Sequence, residues 1–383
     1  MTPWRIAGPP RPGAAQRALG IAAALWLALL IGCSIAAVRH PLHSIFDVYR
    51  DGAAHWWAAA PLYGTGMRAF VYLPSSALLF TPFAWLPPPL DDLLWRACSV
   101  AVFVAGVIRL MPGRPVHQAV VLILLLPCAG VDVLRGQASV AMAGLVFLGA
   151  AAVTAPRWGR AAAWLCLAVA IKPLAIVPLL LFAAACPPLR RWLPLGLAAV
   201  LLLPFASAQP GYVMAQYRDM TRVMLHAGDL GVTRFNDVAM MLHRFGADLP
   251  ASALLAIRAA AAVGALVLAL RRPTPPRVLA LSVAWLMLFN PRTELGSYLA
   301  LGAVIGVLMF EPMPTVGRVL MAAGILALGT QAYGAAIFRA TDVWLKPLVC
   351  LAFAAWLVAR MVVSGPTRPP VAVAGFEPAT KGL

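Results

Sequence analysis

Apolar runs, each close to the length of a bilayer crossing, recur along almost the whole chain and constrain its fold more than any other feature. They lie near residues 18–38, 70–87, 91–110, 116–134, 138–155, 160–185, 192–208, 251–270, 277–290, 296–310, 316–337 and 344–363. A transmembrane helix needs about 20 consecutive apolar residues. Hydrophobic residues make up 62% of the 383 positions and charged residues only 11%, against about a quarter charged in a soluble domain. In hydrocarbon every backbone polar group has to be satisfied inside a helix or a closed barrel. The runs are continuous rather than alternating, which selects helices. The expected fold is all-α, a polytopic integral membrane protein with about 10–13 transmembrane helices. The run 160–185 reads as one helix or two, and no repeat of solenoid length stands out.

Charge gives the expected orientation. Thirty Lys and Arg against 13 Asp and Glu leave a net charge of +17. That surplus falls in short connections rather than in a nucleic-acid-binding tract interleaved with aromatics. Arg157 with Arg160, Arg190 with Arg191, Arg271 with Arg272 and Arg277, and Arg318 join the basic N-terminus (Arg5, Arg11, Arg17) as cytoplasmic markers. Two longer polar stretches, 39–69 and 208–250, then face outward. One conflict stands: if 70–87 and 91–110 both cross, Arg157 and Arg160 emerge on the wrong side. Either one of that pair is interfacial or re-entrant, or 160–185 is a single helix. The six cysteines lie in or beside apolar runs with no C-x-x-C pair, and read as small hydrophobes rather than metal ligands or a disulfide framework. Residues 18–38 read as a first helix rather than a removed signal peptide. Residues 1–363 form one expected domain, and the Pro-rich tail 364–383 is expected to be disordered.

Acidic residues are scarce enough to be sorted individually. Asp91 and Asp92 follow three prolines and read as helix caps; Glu311 falls on the cytoplasmic side. Asp132 lies near a helix end. In the first outer stretch Asp47 and Asp51 are four apart, so a helix puts them on one face, and Trp56 and Trp57 suit an interfacial helix. A solvated surface helix with incidental charges fits the same residue types. Arg135 and Gln137 interrupt an apolar stretch, and Lys172 precedes Pro173 inside another. A cation at bilayer depth is rare and marks function by default, although a snorkelling Lys at a helix end has the same signature. The segment Asn290-Pro291-Arg292-Thr293-Glu294 reads as a polar site or as a plain turn with its own Arg–Glu pair. The second outer stretch carries Arg218, Arg222, His226, Arg234, Asn236, His243 and Arg244, a set suited to an anionic partner such as a phosphate or lipid head group.

In order and spacing, five segments resemble glycosyltransferase family 87, the polyprenol-phosphate-mannose-dependent α-mannosyltransferases of the multispanning C-type glycosyltransferase fold. They are FDVYRDGAAHWWAAAPLYG, FVYLPSSALLFTPFAWLPP, RGQASVAMAGLVFLGAA, VAIKPLAIVPLLLF and NPRTELGSY, within residues 18–350. The resemblance implies an inverting, metal-independent hexosyltransferase that needs no cofactor. It would pass a sugar, mannose in this family, from a polyprenyl-phosphate donor to a hydroxyl of a glycan or glycolipid on the extracytoplasmic face of a bacterial inner membrane. A carboxylate of the first outer loop would be the general base: Asp47 falls at the acidic position ahead of Tyr49, with Asp51 in reserve. Tyr63, Tyr72, Arg135, Gln137 and Lys172 fall on the family's pattern and would line the donor site; Tyr49, Arg50, Arg234, Arg292, Glu294 and Tyr298 are further expected substrate contacts. Two departures stand out. The acid and the tyrosine are more tightly spaced than in the family, and NPRTELGSY replaces a histidine-bearing segment.

Two other function classes fit a polytopic chain. A transporter or lipid flippase tends to show internal repeats and broken helices at the midplane; Lys172 fits that pattern, the absence of a repeat does not. A noncatalytic subunit of an envelope-assembly complex would tolerate the altered acid spacing.

Overall fold

The computed structural model describes residues 12–64, 68–225, 235–271, 274–290 and 293–363. His226, Asp229, Arg234, Arg272, Arg292 and the tail 364–383 therefore lie outside the described residues. Among the described residues the secondary structure is entirely helical: α1 Pro12–Arg39, α2 Phe46–Trp57, α3 Pro74–Ala84, α4 Leu90–Leu110, α5 Pro115–Arg135, α6 Ala138–Thr154, α7 Trp158–Ile171, α8 Ile176–Ala185, α9 Leu193–Leu202, α10 Pro210–Leu225, α11 Val238–Arg244, α12 Ala251–Leu270, α13 Pro275–Phe289, α14 Tyr298–Leu308, α15 Thr315–Ala327, α16 Ala335–Thr341 and α17 Leu345–Val363. The sequence marks many of the boundaries. Prolines open α3, α5, α10 and α13, where the missing N–H would have been unpaired anyway. Gly136, in the left-handed region at φ +63°, closes α5.

Five of these helices (α1, α4, α5, α12, α17) are long and apolar enough to cross a membrane, and seven shorter apolar helices accompany them. All six cysteines are free thiols, as expected for small hydrophobes. The helices pack through small residues, as membrane helices do in the absence of a hydrophobic drive between them. α4 and α6 meet at Gly106 and Gly144. A Cβ on Gly106 would lie 2.6 Å from the Gly144 carbonyl oxygen, and one on Gly144 would lie 2.6 Å from the Phe103 backbone.

Contacts between helix ends sort the connections into two sets. The Ile45 N–H donates to the Arg135 carbonyl (3.0 Å) and Arg50 pairs with Asp91 (2.7 Å), so α2, the start of α4 and the end of α5 share one end. Tyr212 donates to the Ala60 carbonyl (2.7 Å) and Trp56 to Ser207 (3.2 Å), which adds the α9–α10 connection. At the opposite end Arg277 pairs with Glu311 (2.8 Å) and Arg360 donates to the Pro312 carbonyl (2.7 Å). Following the chain between these anchors brings Arg157, Arg160, Arg190, Arg191, Arg271, Arg277 and Arg318 together at that second end.

The sequence-level conflict over Arg157 and Arg160 disappears in α3. Both termini of this 11-residue helix stay at the α2 end. Ser76 in its first turn donates to the Ala170 carbonyl at the end of α7 (2.5 Å), and Thr81 near its last turn accepts from Trp57 (3.0 Å). The run 70–87, expected as a crossing, is thus a re-entrant helix. The run 160–185 breaks into α7 and α8 at Lys172-Pro173, where the backbone turns extended, as the residue before proline prefers.

Candidate active site

α2 carries out its sequence pattern. Phe46, Tyr49, Ala53 and Trp56 are buried while Asp47 and Asp51 face outward. Asp47 is held at the helix start by Arg68, whose terminal nitrogen donates to both carboxylate oxygens at 2.5 and 2.6 Å. The same guanidinium reaches the Ser44 carbonyl at 2.8 Å. The pair is open to solvent, with side chains 45% and 42% exposed. Asp47 is therefore an oriented and accessible carboxylate. Asp51, one turn on, is exposed and makes no ion pair with a described residue.

Beneath α2 lies an aromatic floor. The Tyr49 ring stacks on Phe80 (centroids 4.4 Å apart) and its hydroxyl takes hydrogen bonds from the Tyr72 hydroxyl (3.2 Å) and the Ala138 N–H (3.0 Å). Tyr63 donates to the Tyr72 carbonyl at 2.7 Å. Burial pushes the Tyr63 phenol well above its ordinary range, so it stays a neutral donor. Arg50 is committed to Asp91, which is buried at the start of α4. Asp91 and Asp92 do more than cap a helix. Asp92 pairs with the buried Arg96 (2.6 Å), and Arg96 donates to the Val133 and Leu134 carbonyls at the end of α5, where a cation satisfies unpaired helix carbonyls. Tyr49, Arg50, Tyr63 and Tyr72 thus brace α2, the helix that carries Asp47.

The second group lies at the same end, where α5 stops, α6 starts, α7 breaks and the 290–297 connection passes. Lys172 is buried. Its ammonium donates to the Ser139 hydroxyl at 2.7 Å and lies 3.7 Å from Glu294, which is 42% exposed. Glu294 thus pairs across helices; the expected pair within the turn involves Arg292, which lies outside the described residues. α7 has 14 residues, so its length of ~21 Å falls short of the ~30 Å hydrocarbon core and the break at Lys172 is recessed. Asp132 is 2% exposed and packs so tightly on Gly296 that a Cβ there would overlap its carboxylate. One Asp132 oxygen and the Gln137 side-chain oxygen are buried without a hydrogen-bond partner among the described residues. In a native fold such atoms are few and call for a reason. Lys346, also buried, donates to the Leu295 carbonyl (2.9 Å) and to Gln331 (2.7 Å). Tyr298 is buried and donates to the Asn236 carbonyl at 2.6 Å, tying 290–298 to the segment before α11. Arg135 is exposed at the rim of α5.

The structure therefore brings Lys172, Glu294, Gln137 and Arg135 to one recess, beside the platform that presents Asp47 and Asp51. Tyr298 serves as a strut, and Arg234 and Arg292 lie outside the described residues. Sequence reasoning missed Arg68, Ser139 and Lys346. A lysine near the start of a long apolar run was the available signal for Lys346. Arg68 and Ser139 carried none, because their partners are set by the tertiary fold.

A bundle of apolar, membrane-length helices with an exposed carboxylate and a buried ammonium at one end is the setting in which membrane glycosyltransferases are to be sought. The model of glycosyltransferase family 87 matches residues 70–291, more than half of the chain, and the chain belongs to that family. It is similar to a polyprenol-phosphate-mannose-dependent α-(1-2)-phosphatidylinositol mannoside mannosyltransferase of Mycobacterium tuberculosis, with 29% identity over 102 residues. That match covers 23% of this chain and 24% of the relative, so the chain aligns with about a quarter of the relative's length.

Proposed function

We propose that this membrane glycosyltransferase moves mannose from a polyprenyl-phosphate donor to a hydroxyl of a glycan or glycolipid, with inversion, on the extracytoplasmic face. The observation that carries the reading is the exposed Asp47 carboxylate, held by Arg68 beside a recess containing a buried ammonium. Family membership supports the reaction class, and the relative's printed name supports the donor. Gathering of the arginine connections at the end away from α2 supports an outward-facing site.

Each part of the chemistry has a group suited to it. The acceptor oxygen attacks the anomeric carbon as the bond to the phosphate oxygen breaks, and Asp47 takes the hydroxyl proton. Asp51, on the same face of α2, is the alternative base. Charge grows on the departing phosphate. Lys172 in its recess, with Arg135 at the rim and Arg292 on the adjoining connection, supplies the positive field that stabilises it. A leaving phosphate that arrives already charged and meets fixed cations does not require a metal. Gln137 and Glu294 offer an acceptor and an anion to the hydroxyls of the sugar.

The test is donor choice. Purified protein in lipid, offered polyprenyl-phosphate mannose or a nucleotide-activated mannose, is expected to turn over only the former, at a rate unchanged by a metal chelator. Turnover of the nucleotide sugar, or loss of activity with chelator, would contradict the reading.

A further inference from the structure

A second polar cleft opens at the α2 end of the molecule, away from Asp47 in the chain and built by other helices. It lies between α11 and α16, has a volume of about 520 Å³, and is lined by Met240, His243, Arg244, Arg339, Asp342 and Val343. That size suits a small-molecule head group. Arg244 ends α11 and Arg339 lies in the last turn of α16. Both are exposed, and neither is paired with a carboxylate among the described residues. Asp342 closes α16, and His243 is held by Asp248 at 2.5 Å.

Two further observations mark this cleft as more than a solvated basic surface. Val343, buried in its wall, has φ +75°, a conformation costly for a β-branched residue and one that concentrates at ligand sites. Exposed apolar side chains belong to the same two elements: Phe245, which follows Arg244, is 68% exposed and Ile337 of α16 is 47% exposed. Trp344 meets Phe245 edge to face with ring centroids 6.2 Å apart. Aromatics beside unpaired arginines at a helix-end level are the chemistry of the membrane–water interface.

We infer that the cleft between α11 and α16 binds the head group of an anionic phospholipid bearing free hydroxyls, with phosphatidylglycerol as the simplest such lipid. The two guanidiniums grip the phosphodiester from two helices, as arginine forks do. Asp342 accepts a head-group hydroxyl, and the acyl chains leave over Phe245 and Ile337. A zwitterionic head group brings its own cation to Arg244 and Arg339 and is disfavoured. The site uses no residue assigned above to transfer, so it stands whether or not the donor reading does.

The test is lipid binding to the full chain by native mass spectrometry from neutral detergent, without any sugar donor. Phosphatidylglycerol is expected to bind the wild type about tenfold or more tightly than it binds Arg244→Gln/Arg339→Gln, a loss in line with two charge-assisted contacts. Phosphatidylcholine should bind both proteins equally weakly. Asp342→Asn should weaken phosphatidylglycerol yet leave phosphatidic acid, which lacks the hydroxyls, unchanged. Equal phosphatidylglycerol binding by the wild type and the double variant would overturn the inference. So would phosphatidylcholine binding as tight as phosphatidylglycerol, or complete displacement of the lipid by millimolar inorganic phosphate, which would mark a site for the free ion.

Discussion

Asp47 and Lys172 divide the proposed chemistry between an exposed anion and a buried cation. Asp47 is oriented by Arg68 but still open to an incoming hydroxyl. Lys172 has lost most of its water and is met by Ser139 and Glu294. A buried ammonium left with so few partners is costly unless a second anion arrives, and a donor phosphate would be that anion. Lys172→Met is therefore expected to raise KM for the polyprenyl-phosphate donor strongly while leaving KM for the acceptor within about twofold. Steady-state kinetics with each substrate varied in turn checks this, and an effect confined to the acceptor would place Lys172 elsewhere. The sequence shows this lysine plainly, because Lys-Pro inside an apolar run breaks a helix at depth. It conceals Arg68, which meets Asp47 across 21 residues of chain with no periodicity to link them.

At the scale of elements, legibility follows periodicity and length. α2 could be read because Phe46, Tyr49, Ala53 and Trp56 recur at helical spacing opposite two carboxylates. α3 could not, since an apolar run that dips and returns has the same composition as one that crosses; its bonds at both ends to one side of the molecule decide the matter. The three tyrosines Tyr49, Tyr63 and Tyr72 similarly carry no sign in the sequence that they brace α2. Close helix contacts are the other feature that only the structure shows. Gly144 lies against the Phe103 backbone, whereas Gly20 has open space around it. Gly144→Val is expected to separate α4 from α6 and destabilise the protein by about 1–3 kcal/mol, while Gly20→Val leaves it unchanged. Thermal unfolding in one detergent compares the two, and equal melting temperatures would contradict the packing described.

The whole molecule is a two-ended body, with the short arginine-bearing connections (Arg157, Arg160, Arg190, Arg191, Arg271, Arg277 and Arg318) at one end and its carboxylate platform, recess and second cleft at the other. This polarity was largely visible in the placement of basic residues between apolar runs, and the structure removes the one inconsistency by keeping α3 at a single end. In a variant lacking the native cysteines, Leu42→Cys, at a position 87% exposed beside α2, is expected to react with a membrane-impermeant maleimide on intact cells. Arg190→Cys at the other end should react only after the membrane is opened. The reverse pattern would invert the orientation.

The most direct test of the central claim is sugar transfer from radiolabelled polyprenyl-phosphate mannose by the purified protein in lipid, wild type beside Asp47→Asn. The account predicts turnover by the wild type and a loss of about 10²–10⁴-fold in the variant, the range for removal of a general base, with insertion and melting temperature unchanged. Equal turnover by both proteins would contradict Asp47 as the base and move that role to Asp51. No turnover by a folded wild type would contradict the proposed donor.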